Sequence, residues 1–253
     1  SCTGSETDIY TEKNYGNFIL QLEFLLSEDG NSGVFIRRDP TKPDTGFEVQ
    51  LLAPWTPHRD NLHCTGSLYG HVAVTNRPDE TSGKWYKMEI KCDRNKVSVS
   101  INGQITAIAD IDTVKTLTGK PMVGYIGFQG NHAEKPDQYA RFRNIRIRDL
   151  DAEPDYVIEG FSNPNWEIRH VSSRAAVRIG AVMIQPMAAM MSGNDPMLRS
   201  EAKQVLFDIA AKISNPARSE REKRIIRRKI DKSLKACSSE ITSDYLRWLT
   251  GML

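Results

Sequence analysis

Hydrophobic and polar positions alternate in short runs over the first 150 residues, and turn-forming residues separate the runs. Period-2 alternation puts successive side chains on opposite faces, so each run predicts a half-buried strand. Strands are expected at Phe18–Phe24, Val34–Arg37, Phe47–Leu52 and Gly66–Val74. A turn cluster is expected at Asp29–Gly33, and a long polar loop from Pro54 to about Thr65. Trp85–Lys91 and Val97–Ile101 read as a hairpin turning at Asp93–Asn95. Asn102-Gly103 is the strongest short hairpin signal in the chain, because both residues tolerate positive φ. Gln104–Ala109, Gly124–Gln129 and Ala140–Arg148 complete the set. Short strands with turns every 8–12 residues, roughly, predict a sandwich or barrel.

The pattern changes near Asp149–Pro154. Beyond it, Ser172 to about Met191, Met197–Ile213, Arg221–Ala236 and Thr242–Leu253 carry helical signals, with Ile226, Ile230 and Leu234 spaced for one face. Two domains are therefore expected, 1–150 all-β and 151–253 helical.

Of the 253 residues, 39% are hydrophobic, enough for a packed core. The net charge of +2 gives no general attraction to nucleic acid. The basic run from Ser219 to Ile230 interleaves acids and an apolar stripe, which is the pattern of a solvated helix face. No apolar stretch approaches the length of a membrane span. The four cysteines, Cys2, Cys64, Cys92 and Cys237, have no metal-ligand spacing. Unpaired thiols are expected, with a Cys2–Cys64 or Cys64–Cys92 bridge as the alternative. No metal or cofactor motif occurs.

Three ordered stretches carry a resemblance. The first runs Cys2-Thr-Gly4, Tyr10–Phe18, Leu20–Phe24 and Gly30–Arg37. The second is Gly46–Leu51 followed by Thr65–Gly70. The third is Gly83–Ile90, Asn102-Gly103, Gly124–Gln129 and Arg141–Ile147. Together they resemble the 3-keto-disaccharide hydrolase domain family, which implies a concanavalin-like jelly roll of bacterial type and 3-keto-glycosides as substrates. A periplasmic or secreted location is likewise implied. Family members usually begin with a further stretch that is absent here, so the sandwich is expected to lack its first strand or strands. The family's Gln-Asp-His-Gly is replaced by Gln129-Gly-Asn-His-Ala133, with the histidine displaced by one. The helical part resembles HEAT-type repeats at Ala176–Ala181, Asp195–Ala202 and Leu206–Ala210. That resemblance implies a surface for a protein partner.

A 3-keto group acidifies the C2 proton, so elimination needs a general base, a group for the C3 oxyanion and an acid for the leaving oxygen. Glu48 and Gln50 share one strand face, opposite Phe47, Val49 and Leu51. Glu48 is the expected base or sugar anchor, with Arg37 as oxyanion partner and His132 as the next candidate base. Arg37 and Arg38 are expected on opposite faces, with Arg37 the better match to the family motif. Gln50, Tyr69, His71 and Trp55 are candidate sugar contacts, Trp55 as a stacking platform in a proline-flanked loop. The plain readings are a solvated sheet face for Glu48, a surface ion pair for Arg37, sheet packing for Tyr69 and a loop anchor for Trp55. The loop residues His58 and His63 are expected to be surface residues. Two other classes stay open: a non-catalytic carbohydrate-binding module, and a protein-interaction scaffold.

Overall fold

The computed structural model describes residues 8–42, 44–55, 60–130 and 137–253. The chain divides into two compact units between Leu150 and Asp151. The first unit contains β1 (Ile9–Tyr10), β2 (Phe18–Leu26), β3 (Asn31–Arg38), β4 (Phe47–Leu52), β5 (Tyr86–Asp93), β6 (Lys96–Ile101), β7 (Gln104–Asp110), β8 (Tyr125–Phe128) and β9 (Ala140–Asp149).

These strands form two antiparallel sheets. One has the order β1-β8-β3-β4, the other β7-β6-β5-β2-β9. The alternation read from the sequence decides which side chains enter the core. Val34 lies opposite Val49 and Ile36 opposite Phe47, and all four are buried. On the other sheet Leu20 pairs with Ile90 and Leu22 with Met88, again buried. Phe128 of β8 meets Phe142 of β9 with ring centroids 4.8 Å apart, so the two layers touch. The predicted Asn102-Gly103 turn is present, with φ of 51° and 82°.

Two strand expectations change. The turn cluster at 29–33 is shorter, because β3 already begins at Asn31. The strand expected at Gly66–Val74 is reduced to isolated bridges, Val49↔Leu68 and Leu68↔Val72. Gly66 and Gly70 take φ of 84° and 70°, which interrupts an extended run and folds it back on itself. Even so, Tyr69 N–H donates to the Glu48 carbonyl, so this segment continues the sheet beyond β4.

Cys64 and Cys92 are buried thiols, and no disulfide joins them. Cys2 lies outside the described residues.

The second unit is helical: α1 (Pro154–Gly160), α2 (Trp166–Ile179), α3 (Ile184–Met191), α4 (Pro196–Ser214), α5 (Glu220–Ala236) and α6 (Glu240–Met252). The run expected from 172 to 191 is split at Gly180, whose φ of 77° ends α2. Phe161, Met187, Leu206, Ile209, Ile230 and Leu246 belong to its apolar core. No described helix is long and apolar enough to cross a membrane.

Candidate functional site

Glu48 stands on the outer face of the four-stranded sheet, as its alternation with Phe47 and Val49 requires. The register places one row of residues across that face. Tyr10 lies opposite Gly127, Gly127 opposite Phe35, and Phe35 opposite Glu48. The Tyr69–Glu48 hydrogen bond adds Tyr69 to the end of the row. A parallel row runs from Gly33 to Gln50.

Two glycines let long side chains lie flat in this surface. A Cβ on Gly33 would overlap Glu48 Oε1, and one on Gly127 would fall 2.5 Å from the Tyr10 ring. The Tyr10 ring stacks on Phe35 at 6.1 Å and 13°. The guanidinium of Arg38 covers the same Phe35 at 3.9 Å from the ring centroid. Phe35 is thereby sealed at 2% exposure, and the ground beside Glu48 becomes apolar.

That environment sets the charge states. Burial pushes the Glu48 carboxyl up to about 7; the Arg38 charge opposes the rise and Asp8 adds to it. Tyr10 is pushed up to about 12, by burial first and then by Asp8. Its hydroxyl donates to Asp8 Oδ2 at 3.2 Å. Tyr10 is therefore neutral and Glu48 about half ionised at neutral pH. A carboxyl poised near 7 can both take and return a proton, which suits a general acid–base role.

Arg37 is corrected by the structure. It is 0% exposed and takes φ of 52°, where β3 shifts register against β8. Its Nε donates to the Gly16 carbonyl and its Nη2 to the Arg94 carbonyl, both at 2.9 Å. The side chain therefore points inward and ties three backbone segments together. Arg38 takes the outward position. Arg37 and Arg38 do point to opposite faces, but the matching motif position is the structural one.

The other expected residues divide. Gln50 is 4% exposed and donates to Asn31 Oδ1 at 3.2 Å, on the same face as Glu48. Tyr69 is 44% exposed, and His63 meets its ring edge-on at 4.9 Å. His63 also contacts Asp60 at 2.8 Å. His71 follows Tyr69 in the returning segment. Burial and the Lys120 ammonium hold its imidazole below the usual range. Trp55 is 73% exposed. His132 and His58 lie outside the described residues.

Asp8, Tyr10, Arg38 and Lys120 were not singled out from the sequence. The signal that could have found Tyr10 was Gly127, a glycine inside a strand, which marks a close approach of another group.

The model of the 3-keto-alpha-glucoside-1,2-lyase-like domain matches residues 2–148, more than half of the chain. The chain belongs to this family. A solved structure of a proposed glycosyl hydrolase from Parabacteroides distasonis is similar at 25% identity and a TM-score of 0.52, over 57% of this chain and 84% of that one. Another proposed glycosyl hydrolase from the same organism shows 23% identity and a TM-score of 0.49, over 58% of this chain and 78% of that one. No curated protein matches. The lyase-like domain is thus a carbohydrate-related jelly-roll sandwich.

A groove of about 640 Å³ lies elsewhere on this domain, over the outer face of the five-stranded sheet. Its acids are engaged. Glu23 meets Arg143 at 2.7 Å, a contact that holds its carboxyl below the usual range, and Glu89 accepts from Gln21 at 2.8 Å. Volume favours that groove, but a shielded carboxyl of raised pKa favours the Glu48 face. Chemistry follows the carboxyl.

Proposed function

We propose that the sandwich takes a 3-keto-glycoside on the outer face of its four-stranded sheet and eliminates the group at C1. The supporting observation is the Glu48 carboxyl, raised to about 7 beside Arg38. Glu48 takes the proton from C2. The electron pair moves into an enolate at the C3 oxygen, where Arg38 supplies the compensating charge. Collapse of the enolate forms the C1–C2 double bond and breaks the bond from C1 to the leaving oxygen. The protonated Glu48 then returns its proton to that oxygen. Water adding to the double bond would complete a net hydrolysis. Gln50, Tyr69 and the exposed Trp55 serve as sugar contacts. For the helical unit, the HEAT-type reading with a protein partner stands as a proposal.

The test is release of aglycone from a panel of 3-keto-glucosides by wild type and Glu48→Gln. The variant keeps shape and removes basicity, so turnover is expected to fall by about 10²–10⁴ with sugar binding largely kept. A wild-type rate in Glu48→Gln removes Glu48 from the mechanism. No turnover by either protein, with binding intact, turns the reading to a carbohydrate-binding module.

A further inference from the structure

Three nitrogen-bearing side chains gather at one end of the Glu48 face, and the proposed elimination employs only one of them. Arg38 ends β3, opposite Tyr125 of β8. Lys120 comes from the turn before β8, and its Nζ donates to the Asp44 carbonyl at 2.8 Å, in the connection between β3 and β4. His71 comes from the segment that continues the sheet beyond β4. Lys120 senses the charge of Arg38, and His71 senses that of Lys120.

Their pairing is incomplete. Among the described residues Arg38 meets the Phe35 ring and no carboxylate within 4.0 Å, and Lys120 meets a backbone carbonyl rather than a carboxylate. His71 Nδ1 is buried and has no hydrogen-bond partner. Two like charges sharing a half-buried surface repel, and elsewhere on this unit the chain places a carboxylate against such a cation, as Glu23 against Arg143. The Asp44 carboxylate acts on Lys120 from a residue that is exposed to solvent. Two cations from separate elements, with no carboxylate within ion-pair distance among the described residues, beside an imidazole whose Nδ1 has no partner, offer charge and donors complementary to an anionic ligand.

We propose that Arg38, Lys120 and His71 form an anion-recognising subsite beside Glu48, which selects glycosides whose leaving group bears a carboxylate, sulfate or phosphate. This rests on the elimination proposed above for the placement of the reacting ring at Glu48. Lys120 supplies the charge that a neutral substrate leaves unused. Arg38 is shared between the enolate oxygen and the anionic substituent, so Lys120 is the residue that tests the subsite without touching the elimination.

The experiment compares the 4-carboxyphenyl and 4-(hydroxymethyl)phenyl 3-keto-glucosides, which differ in charge at similar size. Wild type is expected to prefer the carboxylate by about tenfold in kcat/KM at low salt, the scale of one charge-assisted hydrogen bond. The preference should shrink with added salt. Lys120→Met should abolish it while leaving the neutral substrate unaffected, and Lys120→Arg should keep it. Equal rates on both substrates in wild type, or an undiminished preference in Lys120→Met, would overturn the subsite while leaving the elimination standing. A binding arm uses the same two glucosides with an unoxidised C3 hydroxyl. If the 3-keto compounds are not turned over but the carboxylate glucoside binds more tightly in a Lys120-dependent way, the subsite stands and the elimination falls.

Discussion

The carboxyl of Glu48 occupies the space that a side chain at position 33 would fill, and Gly33 is what permits it. Glu48 lies opposite Phe35 in the register, so its side chain runs diagonally across to Gly33. A strand glycine ordinarily weakens a sheet, and here it gives the acid a shielded bed.

Gly33→Ala should therefore displace Glu48. The added methyl meets Oε1, Cγ and Cδ of the glutamate. Overpacking of this kind costs about 1–3 kcal/mol. Denaturant titration should show that loss, and turnover should fall with it. Adding Glu48→Ala to Gly33→Ala should recover the stability and not the activity. Recovery of neither would mean that the backbone, not the carboxyl, suffers from the methyl.

The raised Glu48 acidity predicts how stability depends on pH. A carboxyl whose folded value lies above its unfolded value binds the extra proton in the folded state. Stability is then greatest below the unfolded value of 4.5 and falls as pH rises through about 7, the loss being complete only above that. The rise corresponds to about 3 kcal/mol, an upper figure for a half-buried group. Glu48→Gln should thus raise the melting temperature at pH 8 and change it little at pH 4.5. Parallel melting curves at the two pH values would contradict this.

The same titration should shape the rate. With Glu48 as the base, kcat/KM for a 3-keto-glucoside should climb through about pH 7 and level off above it. Tyr10, held near 12, should add no descending limb below pH 9. A flat profile from pH 5 to 8 would exclude a titrating Glu48.

Arg37 and Arg38 should separate fold from function. Arg37→Met leaves the Gly16 and Arg94 carbonyls without their donor, and a cost of about 3 kcal/mol or more is expected. Arg38→Met should keep the fold within about 1 kcal/mol, since its neighbour is a ring face, and should lose turnover. The opposite assignment would follow from a stable, inactive Arg37→Met.

In the helical unit, Ser219 caps α5, and Glu222 reaches back to it in a capping box. Ser219→Ala should cost about 1 kcal/mol, read from thermal unfolding of that unit. No change in sandwich activity is expected.

Much of this was legible in the chain, because it depends on local rules. Alternation assigned Phe47, Val49 and Leu51 to the core and Glu48 and Gln50 to the outer face, since a strand can divide its side chains in no other way. Asn102-Gly103 specified its hairpin for an equally local reason: both residues accept the left-handed φ that the turn demands. The Gly66–Val74 strand failed because period-2 alternation does not register two glycines of positive φ. Tertiary structure alone decided the rest. A register shift in β3, at a residue with φ of 52°, sends Arg37 inward and leaves Arg38 beside Glu48, and no periodicity in the sequence marks that residue. Glu48 acquires its raised proton affinity first from burial in the assembled surface, with Arg38 of β3 opposing the rise and Asp8 adding to it. Desolvation is a property of the assembled surface, so the strand Phe47–Leu52 names the carboxylate but only the packed sheet sets its proton affinity.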